Sequence, residues 1–105
     1  MQVREIAGKQ IHFDTEGFLS AQAEWTPEIA EALARENGIL LTPRHWQVIG
    51  FCREDAAKNS GASPGLRRIT QLCGVPMKEL YVLFPKGPGK LAARIAGLPK
   101  PKSCL

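Results

Sequence analysis

Leu41-Thr42-Pro43-Arg44-His45-Trp46-Gln47-Val48-Ile49-Gly50-Phe51-Cys52-Arg53-Glu54-Asp55-Ala56-Ala57-Lys58-Asn59-Ser60-Gly61 is the stretch that decides the architecture. A threonine precedes a proline, so a hydroxyl can accept an orphan helix N–H while the ring supplies helical φ where no donor is needed. Trp46, Ile49 and Cys52-Arg53 follow at helical spacing, and Asn59-Ser60-Gly61 ends the run, which predicts a helix over 43–58. The same start recurs on both sides. Thr26-Pro27 opens a helix over 27–37 that buries Ile29, Leu33 and its alanines and stops at Gly38. Ser63-Pro64 opens one over 64–73, with Leu66, Ile69 and Leu72/Cys73 on one face and Gly74 as its stop. Two more follow, over 76–84 with Met77, Leu80, Tyr81 and Phe84, and over 88–96 before Gly97.

Upstream the period changes. Runs over 3–6 and 10–13 flank the turn Ala7-Gly8-Lys9, and Asp14-Thr15-Glu16-Gly17 leads to Phe18-Leu19, reading as short antiparallel strands. Such a meander cannot stand alone and must pack on the helices. Downstream, Leu98-Pro99-Lys100-Pro101-Lys102-Ser103-Cys104-Leu105 cannot be helical, because Pro99 and Pro101 force extended geometry. The expected fold is therefore α+β, a single domain over 1–105. A β-meander (1–20) packs on about five helices (21–97), and a mobile extended arm (98–105) follows.

The 105 residues at 11.5 kDa allow one core, and 44% apolar with 23% charged residues excludes wholesale disorder. The longest apolar run, Leu80 to Phe84, is far short of the roughly 20 residues of a membrane span. Met1-Gln2-Val3-Arg4-Glu5 lacks the layout of a secretory signal, so a soluble cytoplasmic protein without membrane contact is expected. Charge is asymmetric. Residues 1–40 carry a balance of −4 and residues 41–105 one of +8, with no acid after Glu79. A one-signed stretch of this kind attracts nucleic acid or an acidic partner, or simply keeps a surface solvated. Lys86, Lys90 and Arg94 are its candidate partner-docking residues.

Cys52, Cys73 and Cys104 cannot all pair within one molecule, which argues for reduced thiols. No zinc-ligand spacing occurs even when His12 and His45 are included, so neither metal nor cofactor is expected. Cys52 and Cys73 fall on apolar helical stripes, where cysteine is a small buried hydrophobe. His45 reads as a surface or capping residue, and His12 as a strand residue without an obvious partner. Neither a Ser-His-Asp set nor a carboxylate pair can be assembled. Cys104 differs. It is penultimate, it follows Lys100 and Lys102, which favour the thiolate, and it ends an arm that Pro99 and Pro101 hold extended over roughly 20–25 Å. The Leu105 carboxylate opposes the lysines, leaving a modest net effect. An accessible thiol on a semi-rigid arm suits a carrier that enters another protein's pocket.

Leu41-Thr42-Pro43-Arg44-His45-Trp46, Leu83-Phe84-Pro85-Lys86-Gly87-Pro88 and Ile95-Ala96-Gly97-Leu98-Pro99-Lys100-Pro101, with the penultimate Cys104, resemble the DsrC/TusE family. Asp14-Thr15-Glu16-Gly17-Phe18-Leu19 resembles that family's D-x-E-G-[FY]-L stretch. The family comprises the gamma subunit of dissimilatory sulfite reductase and the sulfur carrier of tRNA 2-thiouridylation. The resemblance implies a small meander against a helical array with a mobile C-terminal arm. Members serving sulfite reduction or sulfur oxidation carry a second cysteine eleven positions before the penultimate one; Ala93 stands there in this chain. A disulfide or trisulfide between those two positions is thus impossible, and a single-thiol carrier remains. The chain is also shorter between Gly74 and Tyr81, where Pro76-Met77-Lys78-Glu79-Leu80-Tyr81 replaces the family's K-G-N-S-x-Y-L-Y, a change that bears on docking.

The implied activity is that of a persulfide carrier rather than a conventional enzyme. Cys104 takes sulfur from a persulfide-donating relay protein and passes it to a tRNA-thiolating acceptor, with indirect contact to tRNA. Two alternatives belong to other classes. One is an accessory gamma-subunit-like protein of dissimilatory sulfur metabolism. The other is a DNA-binding regulator, since 66–73, Gly74 and the following helix have helix-turn-helix order. Against the regulator, the would-be recognition helix offers only Lys78 and Glu79 as polar side chains.

Overall fold

The computed structural model describes residues 2–102. Strands β1 (Gln2–Ile6) and β2 (Lys9–Phe13) form an antiparallel hairpin in which Ile6 faces Lys9 and Gln2 faces Phe13. Ala7 and Gly8 both take positive φ, 52° and 78°, as a two-residue primed turn requires. Alternation along β2 buries Ile11 and Phe13 and leaves His12 between them on the other face. The third run, Phe18-Leu19, is too short for a strand and makes a single bridge, Phe13 to Leu19. The meander is thus a hairpin with one bridged residue.

A 3-10 turn, Gln22–Glu24, leads to α1 (Pro27–Glu36), α2 (Pro43–Lys58), α3 (Leu66–Cys73), α4 (Met77–Leu83) and α5 (Pro88–Ile95). Two starts are the predicted ones. Thr26 Oγ1 accepts from Ile29 N at 3.3 Å, and Thr42 Oγ1 accepts from His45 N at 3.4 Å. His45 completes a capping box, its Nδ1 accepting from Thr42 N at 3.0 Å. Its Nε2 then carries the proton and donates to Leu83 O at 2.8 Å, which ties α2 to the end of α4. The capping role was legible in the sequence. The burial was not: His45 is 6% exposed, with its ring edge-on to Phe84.

The third start differs from expectation. Gly65, not Ser63, precedes the helix, because the Ser63 hydroxyl donates to the carbonyl of Pro99 instead. Pro76 likewise lies before α4 rather than within it. Leu72, expected inside, points to solvent, while Leu66 and Ile69 hold the buried face of α3. Arg68 forks onto the buried Asp55 of α2 at 2.9 Å, and Arg44 forks onto Glu79 of α4 at 2.8–2.9 Å. Around these ties one core gathers Phe13 and Phe18 from the N-terminal segment, Ile29, Val48 and Ile49, Ile69, Leu80 and Phe84, and Ile95. No helix among the described residues is long and apolar enough to cross a membrane.

Candidate functional site

The C-terminal segment begins at the end of α5, where every carbonyl of the last turn has a donor. Leu98 N donates to Ala93 O at 2.9 Å and Gly97 N to Arg94 O at 3.2 Å, the pair of bonds of a Schellman stop with Gly97 left-handed at φ 73°. The next two carbonyls would be orphans. Trp25 Nε1 donates to Ile95 O at 2.8 Å, and Arg53 Nη1 donates to Ala96 O at 2.7 Å. The Arg53 guanidinium also stacks 4.0 Å above the Trp25 ring. Burial pushes the Arg53 pKa down from its ordinary value, so a hydrogen bond and a ring face take the place of lost water. Trp25 lies so close that a Cβ on Gly97 would fall 2.4 Å from its Cδ1. Sequence reasoning treated Gly97 as a helix stop and missed Trp25 and Arg53. They come from distant segments, and no local signal pairs them with 95–97.

Beyond Gly97 the segment turns back onto the body. Leu98 is 1% exposed and Pro101 is buried; Pro99 is half-buried, its carbonyl held by Ser63. Lys100 Nζ reaches Glu16 Oε1 at 3.0 Å, and Lys102 is exposed. An arm free from residue 98 was the expectation. Instead Leu98 and Pro101 bury apolar surface, so 98–101 belongs to the packed body. Ser103, Cys104 and Leu105 lie outside the described residues, and with them the predicted carrier thiol.

The loop that receives this segment is the Asp14-Thr15-Glu16-Gly17-Phe18-Leu19 motif. Asp14 Oδ1 accepts from Glu16 N and Phe18 N, each at 2.9 Å, and Gly17 takes φ 88°, which holds Glu16 at the loop tip. There Glu16 offers its carboxylate to Lys100 and its backbone carbonyl to Arg94 Nη2 at 2.9 Å. The Arg94 guanidinium lies 4.7 Å over the Phe18 ring.

Lys86, Lys90 and Arg94, expected to act together, do share one cleft of about 480 Å³ with Glu36, Asn37, Pro85 and Leu91. Lys86 adopts φ 68° ahead of Gly87, where the chain turns into α5. Cys52 is 2% exposed, and burial pushes its thiol up to about 12. Cys73 is only half-buried, not shielded as expected; its Sγ lies 3.9 Å from Gln47 O, and burial raises its pKa while Arg44 pulls it back. His12, expected without a partner, has one: Glu24 accepts from its backbone N at 2.9 Å and meets its Nδ1 at 2.7 Å. Among the described residues no group of three His, Cys, Asp or Glu side chains is placed to hold a metal.

Helix-turn-helix order is present, with Gly74 left-handed at φ 79° between α3 and α4. Its second helix exposes Met77, Tyr81 and Val82, and Glu79 is engaged by Arg44, so Lys78 alone is left as a charged base-reading side chain and the regulator gains no support.

A family profile described as "DsrC like protein" matches residues 5–105. The sulfurtransferase TusE of Escherichia coli K12 is 41% identical over 105 aligned residues, covering 93% of this chain and 95% of that protein. TusE of Salmonella typhimurium is 40% identical over the same span. In three dimensions the chain is similar to DsrC of Allochromatium vinosum, with a TM-score of 0.85 and 40% identity over 98% of this chain and 97% of the other. It is equally similar to the oxidized gamma subunit of dissimilatory sulfite reductase from Archaeoglobus fulgidus, with a TM-score of 0.85 and 38% identity over 99% and 100%. Sequence and fold agree over nearly the whole length of each relative, and the chain belongs to the DsrC-like family.

Proposed function

We propose that this protein carries sulfur as a persulfide on Cys104 and hands it to an enzyme that thiolates tRNA, working in the cytoplasm. The Cys104 thiolate attacks the terminal sulfur of a donor protein's Cys–S–SH. The new bond is Cys104–S–SH, the donor's S–S bond breaks, and the donor cysteine leaves as a thiolate, so no outside oxidant or reductant is needed. Passing the terminal sulfur onward repeats the exchange with an acceptor thiolate. Lys102, which is exposed, favours the reacting thiolate and acidic partners, and Lys100 does so less because Glu16 holds its ammonium. The packing of Pro99 and Pro101 on the body limits the conformations lost on docking.

The observation that carries this reading is the unequal state of the thiols on a DsrC-like fold. Cys52 is sealed and held protonated, Cys73 is half-buried, and Ala93, buried at 3% exposure, stands where relatives of the two-cysteine branch have their second thiol. That leaves Cys104 for chemistry with a partner. The relatives named sulfurtransferase TusE support the transfer role.

The test is intact-mass spectrometry after incubation with a persulfidated donor, with peptide mapping. Wild type should gain one sulfur atom on Cys104, and Cys104→Ser should gain none while keeping its fold. Sulfur mapped to Cys52 or Cys73 would falsify the carrier reading.

A further inference from the structure

We propose that the paired depressions around Lys86 and Lys90 bind a single-stranded RNA segment directly, with phosphates along the lysines and an unstacked base against Tyr81. Lys86 and Lys90 line the 480 Å³ cleft with Arg94 and also a second depression of about 250 Å³ with Leu66, Tyr81 and Gly87. The two lysines are therefore the shared wall of one continuous surface. The cations are not neutralised by the one acid beside them, because Glu36 is paired with Arg4. Arg94 is held by a backbone carbonyl and the Phe18 ring, neither of which carries a charge to cancel its own. Among the described residues no carboxylate pairs with Lys86 or Lys90.

Charge alone would fit an acidic protein equally well. Tyr81 separates the two. It is 54% exposed on α4 and lines the second depression next to the lysines. An aromatic face beside a cationic groove suits single-stranded nucleic acid, whose bases stack while its phosphates follow the charge. Lys90 and Arg94, four residues apart on α5, repeat the charge at one helical turn. In the proposed relay this surface would hold the RNA of the acceptor complex. It rests on that reading only for its setting, because the binding needs no sulfur.

The test uses fluorescence anisotropy of a labelled single-stranded RNA oligonucleotide with the full chain, reduced and free of persulfide, across a salt series. Three phosphate contacts predict a slope of log K against log salt of about −2. Lys86→Gln with Lys90→Gln should weaken binding about tenfold or more and bring the slope to about −0.7. Tyr81→Ala should weaken it about fivefold or more with the slope unchanged. Lys9→Gln with Lys58→Gln removes the same charge from residues that line neither depression, and should leave binding intact. Cys104→Ser should bind RNA as wild type does, which separates this proposal from the carrier reading. No binding at low salt would overturn it. So would equal losses in the two double variants, tighter binding of fully paired duplex, or a silent Tyr81→Ala with effective competition by a polyglutamate peptide.

Discussion

The root of the C-terminal segment and the basic cleft both draw on α5, and they are built on opposite principles. At the root, four successive carbonyls from Ala93 to Ala96 each receive a donor, and Gly97 has no room for one more carbon. In the cleft, Lys86 and Lys90 stand exposed, and Glu36, the acid among its described lining residues, is engaged by Arg4. The first arrangement fixes geometry, since each buried polar group left unpaired costs about 1–3 kcal/mol. The second stores unneutralised charge, which contributes little to folding and much to long-range attraction. One short helix thus fixes where the segment after Gly97 begins and also contributes Lys90 and Arg94 to a charged face.

Gly97→Ala should break this contrast most sharply. It adds left-handed strain and a Cβ overlap with Trp25, so a loss of about 2–5 kcal/mol is expected in urea unfolding. Adding Trp25→Gly removes all three overlapping atoms, whereas Trp25→Ala would keep a Cβ 2.8 Å away. The Gly97→Ala/Trp25→Gly variant should be clearly less destabilised than the sum of its parts. Additive behaviour would show that the Trp25 contact does not set the requirement for glycine.

One residue before Arg53, Cys52 tests how closed the interior is at this point. Cys52→Ser should cost about 1–3 kcal/mol, because a hydroxyl replaces a sealed thiol. Cys73→Ser should cost less, since its group already reaches a carbonyl and partial solvent. Alkylation near pH 8 should follow the same division, modifying Cys73 slowly and sparing Cys52 until the protein unfolds.

The 3-10 turn that presents Trp25 ends in Glu24, whose carboxyl is held below its ordinary 4.5 chiefly by the His12 backbone N–H. A depressed carboxyl contributes stability that is full above its unfolded value and fades as pH falls through the folded one. Acid should therefore loosen this end of the molecule only below about pH 4.5, and Glu24→Gln should flatten that part of a melting-temperature profile against pH. The smallest effect belongs to the cleft. Lys86→Gln and Lys90→Gln should each leave stability within about 0.5 kcal/mol, measured by thermal melting. A larger loss would mean that these lysines support the fold.

Helices α1 and α2 were legible almost to the residue because their determinants are local: Thr26-Pro27 and Thr42-Pro43 supply cap and ring, and Gly38 and Asn59 end the runs. The Ser63-Pro64 start was misread for an equally physical reason. The same hydroxyl had a better partner in the Pro99 carbonyl, 36 residues away, and local chemistry carries no trace of that competition. Cys104 and the basic run 86–102 were visible as residue types in order. The grouping of the basic residues was only half visible, since Arg94 and Lys100 are turned toward Glu16 while Lys86 and Lys90 line the cleft.

Local propensity and spacing, carried entirely by the sequence, determined the five helices, the hairpin, the asymmetric charge and the thiol near the end. Only the tertiary structure decided that 98–101 packs instead of leaving the body, that Trp25 and Arg53 close the end of α5, and that Lys86 and Lys90 join two depressions. These depend on contacts between distant segments, and their free energy comes from burial and hydrogen-bond completion at places no short window contains.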